Sequence, residues 1–239
     1  MPNTQTWGIV GLGWLGARLS AYLQEKGLRT WGTHRTDFDF RNDTLPTTLC
    51  DVLFLNTPPL TDLSPQSYCH KVRATAPTRL IFISSTSVFG MNCGAVNEQS
   101  SPSPDTASAR WLLEVETLLR KDFQEKLTVI RPGGLIGGER HPVKHLAGRV
   151  DISGGNEKIN LIHREDLVQI ITKAPYGTPL VHAVAEHHPR KDNYYGAWAL
   201  KLGLSAPGFK DSEYASREIH SVVVSSFYEN WKCSQLDFL

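Results

Sequence analysis

Apolar and polar positions along this chain follow two alternating periods. Five apolar-rich stretches have the length of strands: TWGIV (6–10), LRTWGT (28–33), CDVLFLN (50–56), RLIFISS (79–85) and LTVIR (127–131). CDVLFLN and RLIFISS are apolar almost throughout, as parallel strands covered on both faces must be. The segments between several of the strands carry apolar residues every three or four positions instead. After the first strand, Leu15, Leu19, Tyr22 and Leu23 share one helical face, and Gly27 supplies a stop. Residues 64–76 predict a second helix. Residues 102–119 predict a third, capped by Asp105 or Thr106, with Trp111, Leu112, Val115, Leu118 and Leu119 turned to a core. On this reading Glu116 and Arg120 pair one turn apart on the solvent side. The final third is less regular. INLIH (159–163) leads into a helix over 164–173, PLVHAVA (179–185) reads as a strand and 190–202 as a helix. The aromatics of the tail SSFYENWKCSQLDFL are expected to seal a small lobe. Strand alternating with helix predicts βαβ units and a doubly wound parallel sheet, because such crossovers are almost always right-handed.

Composition narrows the class of protein. The chain has 239 residues, of which 40% are hydrophobic and 21% charged, which suits one large domain with a small lobe. Its apolar runs are strand-sized, so no membrane helix is expected. The opening MPNTQTWGIV has no basic segment before its apolar run, so no signal peptide is expected either. Lys and Arg number 25 against 24 Asp and Glu, with no basic block, which points away from nucleic acid. Cys50, Cys69, Cys93 and Cys233 are scattered and form no CxxC pair, so neither a zinc site nor a disulfide framework is predicted. A cytoplasmic location follows as the expectation.

GLGWLG (11–16) directly follows the first strand and opens the first helix. A glycine motif in that context is built to hold a pyrophosphate. Gly11 permits the tight turn, Gly13 lets backbone approach the phosphates, and Gly16 lets helix pack against sheet. Trp14 and Leu15 complete the turn, and the helix N-terminus brings amides and a positive dipole end. The end of the second strand then selects the cofactor. NAD binders usually carry a carboxylate there for the ribose hydroxyls, whereas this chain has Thr33, His34 and Arg35, and its first carboxylate is Asp37. A guanidinium and a hydroxyl suit a 2′-phosphate, so NADP is favoured, with NAD as the alternative. Asn56, Thr57 and Pro58, at the carboxyl end of the next strand, should line the same crevice.

With GLGWLG, the motifs SSTSVFG (84–90), RPGGLIG (131–137) and INLIHREDL (159–167) stand in the order found in extended short-chain dehydrogenases, the NAD-dependent epimerase/dehydratase family, which the chain resembles over most of residues 6–185. GLGWLG, SSTSVFG, the RHP at 140–142 and NLIHREDL resemble more particularly the small, atypical YeeZ-type subgroup. The resemblance implies a Rossmann-type α/β fold: a nucleotide domain over 1–132 and 164–186, and a small substrate lobe over 133–163 and 187–239. It implies that Ser85 is the family's catalytic serine, with Thr86 a second candidate to hydrogen-bond the substrate carbonyl and Ser84 a candidate cofactor contact, and that Pro132 and Gly133 lie against the nicotinamide. His163 and Asp166 match an element that is mainly structural. A small-molecule substrate is implied, with the protein a monomer or homodimer and with no membrane or nucleic-acid partner.

One part of the family pattern is missing. The family uses a tyrosine and, four residues on, a lysine, whose charge lowers the phenol's high pKa so that it can move protons. Aligned by its downstream glutamates, the third helix has Ser108 and Leu112 at those positions. No tyrosine occurs between Tyr68 and Tyr176. Substitutes lie in IGGERHPVKHLAGR: His141 as an acid near neutral pH, with Arg140 and Lys144 holding an anionic substrate. His145 and Arg149 extend that basic cluster. Cys93 sits in a loop that can approach the site, and His182, His187 and His188 lack metal-ligand spacing. Three functions remain open: an NADP(H)-dependent oxidoreductase of unusual mechanism, a redox-neutral epimerase or dehydratase, and an NADP(H)-binding sensor without turnover.

Overall fold

The computed structural model describes residues 5–46, 50–91 and 93–210, and the backbone of 222–223. The aromatic tail at 225–239 lies outside the described residues. The chain divides into two compact units. The first runs from the opening strand to Gly90 and includes Pro102–Arg131 and Val168–Val181; the second takes Met91–Ser101, Pro132–Leu167 and the chain from His182 onward.

The first unit is built from β1 (Thr6–Val10), α1 (Trp14–Glu25), β2 (Arg29–Thr33), β3 (Val52–Leu55), α2 (Pro65–Arg73) and β4 (Arg79–Ile83). After the short β5 (Ala95–Val96) of the second unit come α3 (Ala107–Phe123) and β6 (Leu127–Pro132). Further on are β7 (Gly134–Ile136), α4 (Val143–Leu146), β8 (Leu161–His163), α5 (Arg164–Lys173), β9 (Leu180–Ala183), α6 (Lys191–Lys201) and β10 (Val222–Val223). The main sheet has six strands in the order β2-β1-β3-β4-β6-β9. β1 pairs in parallel with both β2 and β3, β3 with β4, and β4 with β6. Strand order therefore runs outward in both directions from the β1/β3 boundary, which is the switch point where such sheets open a crevice. The strands are covered on both faces, as their composition requires: Ile9, Leu53, Phe54, Leu55, Leu80, Ile81, Phe82 and Val129 are fully buried.

Local chemistry explains the helix boundaries. Ser64 caps α2, accepting from the Ser67 amide at 3.1 Å, and Pro65 stands at the first helical position, where its missing N–H costs nothing. Thr106, rather than Asp105, caps α3 by accepting from the Ala109 amide at 3.1 Å. α2 and α3 pack on each other. Tyr68 meets the edge of Trp111 at 5.1 Å between ring centroids, and the Trp111 indole donates to the Leu63 carbonyl at 2.7 Å.

One expectation about α3 is corrected here. Glu116 is not on the solvent side. It is 3% exposed and receives the Arg131 guanidinium from β6 through Nε at 3.1 Å and Nη2 at 2.6 Å. Arg120 instead donates to the Pro179 carbonyl. The second unit has its own small core of Ile136, Val143, Leu161, Tyr194, Tyr195 and Ala199, and its β7 and β8 pair in parallel. No helix among the described residues is long and apolar enough to cross a membrane.

Candidate functional site

The crevice at the switch point is a cavity of about 480 Å³ within the first unit. Gly11 closes it from the β1 side, Thr33, His34 and Arg35 from the end of β2, and Asn56, Thr57 and Pro58 from the end of β3. Seven residues expected to hold a cofactor thus line one space. Phe38, Phe40, Pro59 and Leu60, which the sequence reading did not name, add an apolar wall. Phe40 is fixed by stacking on the buried Tyr68 at 4.2 Å, and the Tyr68 hydroxyl pairs with that of Thr57 at 2.9 Å. A spaced aromatic pair followed by PPL was the available signal.

The glycine turn has the shape its motif requires. Gly11 has φ of +103°, and a Cβ there would stand 2.6 Å from the Asn56 carbonyl oxygen. A Cβ on Gly16 would fall 2.2 Å from the Gly11 carbonyl oxygen, so this glycine is what lets α1 start against the sheet. At Gly13 a Cβ would meet nothing within 4 Å: the space over this residue is left open, as a phosphate-binding backbone needs. Gly13 is the N-cap of α1, whose first turn has neither a side-chain cap nor an acidic residue. That end of the helix offers its amides and partial positive charge to an anion. The Trp14 side chain is half-buried, whereas Leu15 is a core residue and contributes only backbone to the turn.

The polar groups at the end of β2 are sorted by their partners. The Asp37 carboxylate turns back to accept the His34 amide at 3.0 Å, and the His34 ring pairs with the Thr36 hydroxyl. Arg41, also on the crevice wall, is held by Asp62 at 2.6 and 2.9 Å and by Asp39 at 3.3 Å. Arg35 is exposed and makes no ion pair with any described residue, so it is the uncommitted guanidinium of the crevice.

At the end of β4, Ser84 is buried and donates its hydroxyl proton to Glu116. Ser85 is half-buried and caps the 3₁₀ turn Thr86–Phe89 by accepting the Ser87 amide at 3.1 Å. The Ser85 oxygen being an acceptor in that bond, its own proton remains available to donate. Thr86 opens the turn, also half-buried.

The remaining candidates lie in the second unit. Pro132 ends β6. Gly133 donates to Ala183 at 3.0 Å, and a Cβ there would lie 2.5 Å from the Asn160 carbonyl oxygen, so close backbone contact explains this glycine. Arg140 and Lys144 are exposed, with Lys144 drawn to Glu139 at 3.3 Å. His141 occupies a different setting from the one expected of a proton donor. Its ring is buried among Tyr194, Tyr195 and Trp198, with Nδ1 accepting the Val143 amide at 3.2 Å and Nε2 paired to the Tyr194 hydroxyl at 3.1 Å. Burial, and then the charge of Lys144, push its pKa down to about 4, so at neutral pH it is uncharged. Cys93 is half-buried with its thiol on the Gly94 carbonyl. His163, lowered chiefly by burial, accepts the Glu165 amide and packs against Gly137, a structural placement.

The six-stranded sheet, its switch point and the glycine turn define a Rossmann-type α/β fold. No family model matches the chain. The protein YeeZ of Escherichia coli K12 is similar to it, with 29% identity over 242 residues, covering 85% of this chain and 86% of YeeZ. Among solved structures, a functionally unknown conserved protein from Silicibacter pomeroyi is similar at a TM-score of 0.79 and 21% identity, covering 95% of this chain and 92% of that one. A dTDP-4-dehydrorhamnose reductase from Clostridium acetobutylicum gives 0.77 and 16%, with the same coverages of 95% and 92%. A UDP-glucuronic acid 4-epimerase from Bacillus cereus, in complex with NAD, gives 0.73 and 15%, covering 93% and 90%. These solved structures share the Rossmann-type fold of this chain, and YeeZ is similar to it over most of the length of both.

Proposed function

We propose that the protein binds NADP(H) in the switch-point crevice and serves as an oxidoreductase on a small carbonyl or hydroxyl compound. The observation that carries this reading is the crevice itself: a glycine turn open at Gly13, an apolar wall, and Arg35 uncommitted at the end of β2 while the carboxylates that follow it are engaged, Asp37 by the His34 amide and Asp39, on the crevice wall, by Arg41. In this reading the turn and the start of α1 hold the pyrophosphate. Phe38, Pro58 and Leu60 flank the adenine, and Arg35 pairs with the 2′-phosphate. The nicotinamide, when bound, supplies or accepts hydride. Ser85 donates a hydrogen bond to the substrate oxygen and so stabilises charge as it develops there. With His141 neutral and buried, water is the proton source.

Arg35→Ala tests the cofactor. A lost charged hydrogen bond should weaken NADPH by roughly ten- to a hundredfold and leave NADH within about twofold. Equal loss for both, or none, removes the NADP reading. Deuterium-labelled NADPH with a metabolite extract tests turnover, since label arriving in one compound demonstrates hydride transfer. A second reading, a nucleotide-binding module without turnover, is favoured by the setting of His141, which takes the candidate acid out of use. Under it NADPH binds but no label moves, and Ser85→Ala changes nothing.

A further inference from the structure

Gly11 is held from both sides by side chains. Its amide donates to the Thr33 hydroxyl oxygen at 3.3 Å, and its carbonyl accepts from the Asn56 side-chain amide at 3.3 Å. Each of these side chains is in turn fixed by its own backbone. The Thr33 carbonyl accepts the Leu12 amide at 2.8 Å, and the Asn56 amide donates to the Val10 carbonyl at 2.9 Å. Thr33 is 6% exposed at the end of β2, and Asn56 follows β3, so the two strands that flank β1 each send one residue to Gly11, one to the peptide group before it and one to the peptide group after it. The position they hold is the one with φ of +103°, which a free chain has no strong reason to keep.

We infer that Thr33 and Asn56 form a clamp on Gly11 that sets the glycine turn in its anion-binding shape before any nucleotide arrives, making both of them positioning residues for the dinucleotide. This rests on the reading of the crevice as a dinucleotide site and adds to it a division of labour. Arg35 discriminates between cofactors by touching the group that differs. Thr33 and Asn56 act on both cofactors alike, because the turn they shape meets the pyrophosphate that the two share. A preset turn lowers the ordering cost of binding. The clamp also reassigns Thr33: its oxygen accepts from Gly11, so its hydroxyl serves the turn and the pyrophosphate that both cofactors share, and not the 2′-phosphate that its place beside Arg35 had offered it.

The test uses the full chain with three variants, titrated with NADPH and with NADH. Thr33→Val keeps the shape and removes the hydroxyl, Thr33→Ser restores it, and Asn56→Ala removes the second arm. A lost hydrogen bond of this kind predicts roughly three- to tenfold weaker binding of each nucleotide to Thr33→Val and to Asn56→Ala. The NADPH-to-NADH ratio stays unchanged, and Thr33→Ser stays within about twofold of the parent. Amide hydrogen exchange at Gly11, followed by NMR in the nucleotide-free protein, gives an independent readout and is expected to quicken in Thr33→Val and recover in Thr33→Ser. Unchanged exchange at Gly11, or a loss confined to NADPH, overturns the clamp. If the parent binds neither nucleotide while Gly11 exchange still responds, the cofactor reading falls and the clamp stands as a device that shapes the turn.

Discussion

The ion pair between Glu116 and Arg131 invites a demanding test, because its two charges lie deep in the first unit. Glu116 is 3% and Arg131 5% exposed by side chain. The carboxylate accepts both arms of the guanidinium and the Ser84 hydroxyl, while the Arg131 guanidinium lies 5.2 Å from the centre of the Phe89 ring. Arg131→Met leaves the shape of the site nearly intact and strands the carboxylate with only Ser84 as a donor. Removing one partner of a buried pair costs about 3–5 kcal/mol. Against a whole-domain stability of roughly 5–15 kcal/mol, that is a large share. Replacing both, as Glu116→Leu with Arg131→Met, removes the stranded charge and the cost of desolvating it. The double variant should therefore return to within about 2 kcal/mol of the parent. Urea unfolding of the four proteins, closed as a double-mutant cycle, measures the coupling. A single variant costing under about 1 kcal/mol, or a double variant as unstable as the sum of the singles, would refute the burial and bidentate pairing on which the argument stands.

Two further perturbations separate packing from binding. Gly16→Ala places a Cβ 2.2 Å from a backbone oxygen, so it should destabilise the protein by about 1–3 kcal/mol despite alanine's better helix propensity. Gly13→Ala meets no protein atom within 4 Å, so its melting temperature should stay close to the parent's while NADPH affinity drops; a fall in the melting temperature comparable to that of Gly16→Ala would show that Gly13 serves packing. His141 governs a pH effect. Its pKa is pushed from 6.5 to about 4 in the fold, so the unfolded chain takes up a proton first as pH falls. The stability that neutral His141 contributes is complete above pH 6.5 and is lost as pH falls toward 4, in the same direction as for His163 and His188. Urea midpoints between pH 7.5 and 4.5 should decline, and less steeply in His141→Gln. An identical slope in the two proteins would show that the ring is not held neutral.

The fold was legible wherever a local pattern had only one physical use. Runs such as CDVLFLN fit nothing but a strand covered on both faces, and GLGWLG between strand and helix leaves little freedom for the turn, so the sheet, its switch point and the crevice follow from the residues in order. Short pairings such as β5 with β10, and β7 with β8, were missed, since two or three residues carry no period to read. The misplacement of Glu116 has a different cause. Position 116 follows Leu112 by four residues and precedes Leu119 by three, which puts it on the apolar stripe of α3. The pairing rule for Glu and Arg one turn apart points to the solvent side and competes with that stripe. The correcting signal was a second charge in an equally apolar place, Arg131 at the end of LTVIR: two opposite charges, each inside a buried pattern, are most economically explained by each other. His141 offered no such signal. Its neutrality is made by Tyr194, Tyr195 and Trp198, more than fifty residues along the chain, and nothing near RHP in the sequence distinguishes a histidine that moves protons from one that is walled in. Residues whose setting is fixed by backbone geometry, like Gly11 and Gly16, can be placed ahead of the structure. Those whose surroundings are made by distant packing, as at His141, cannot.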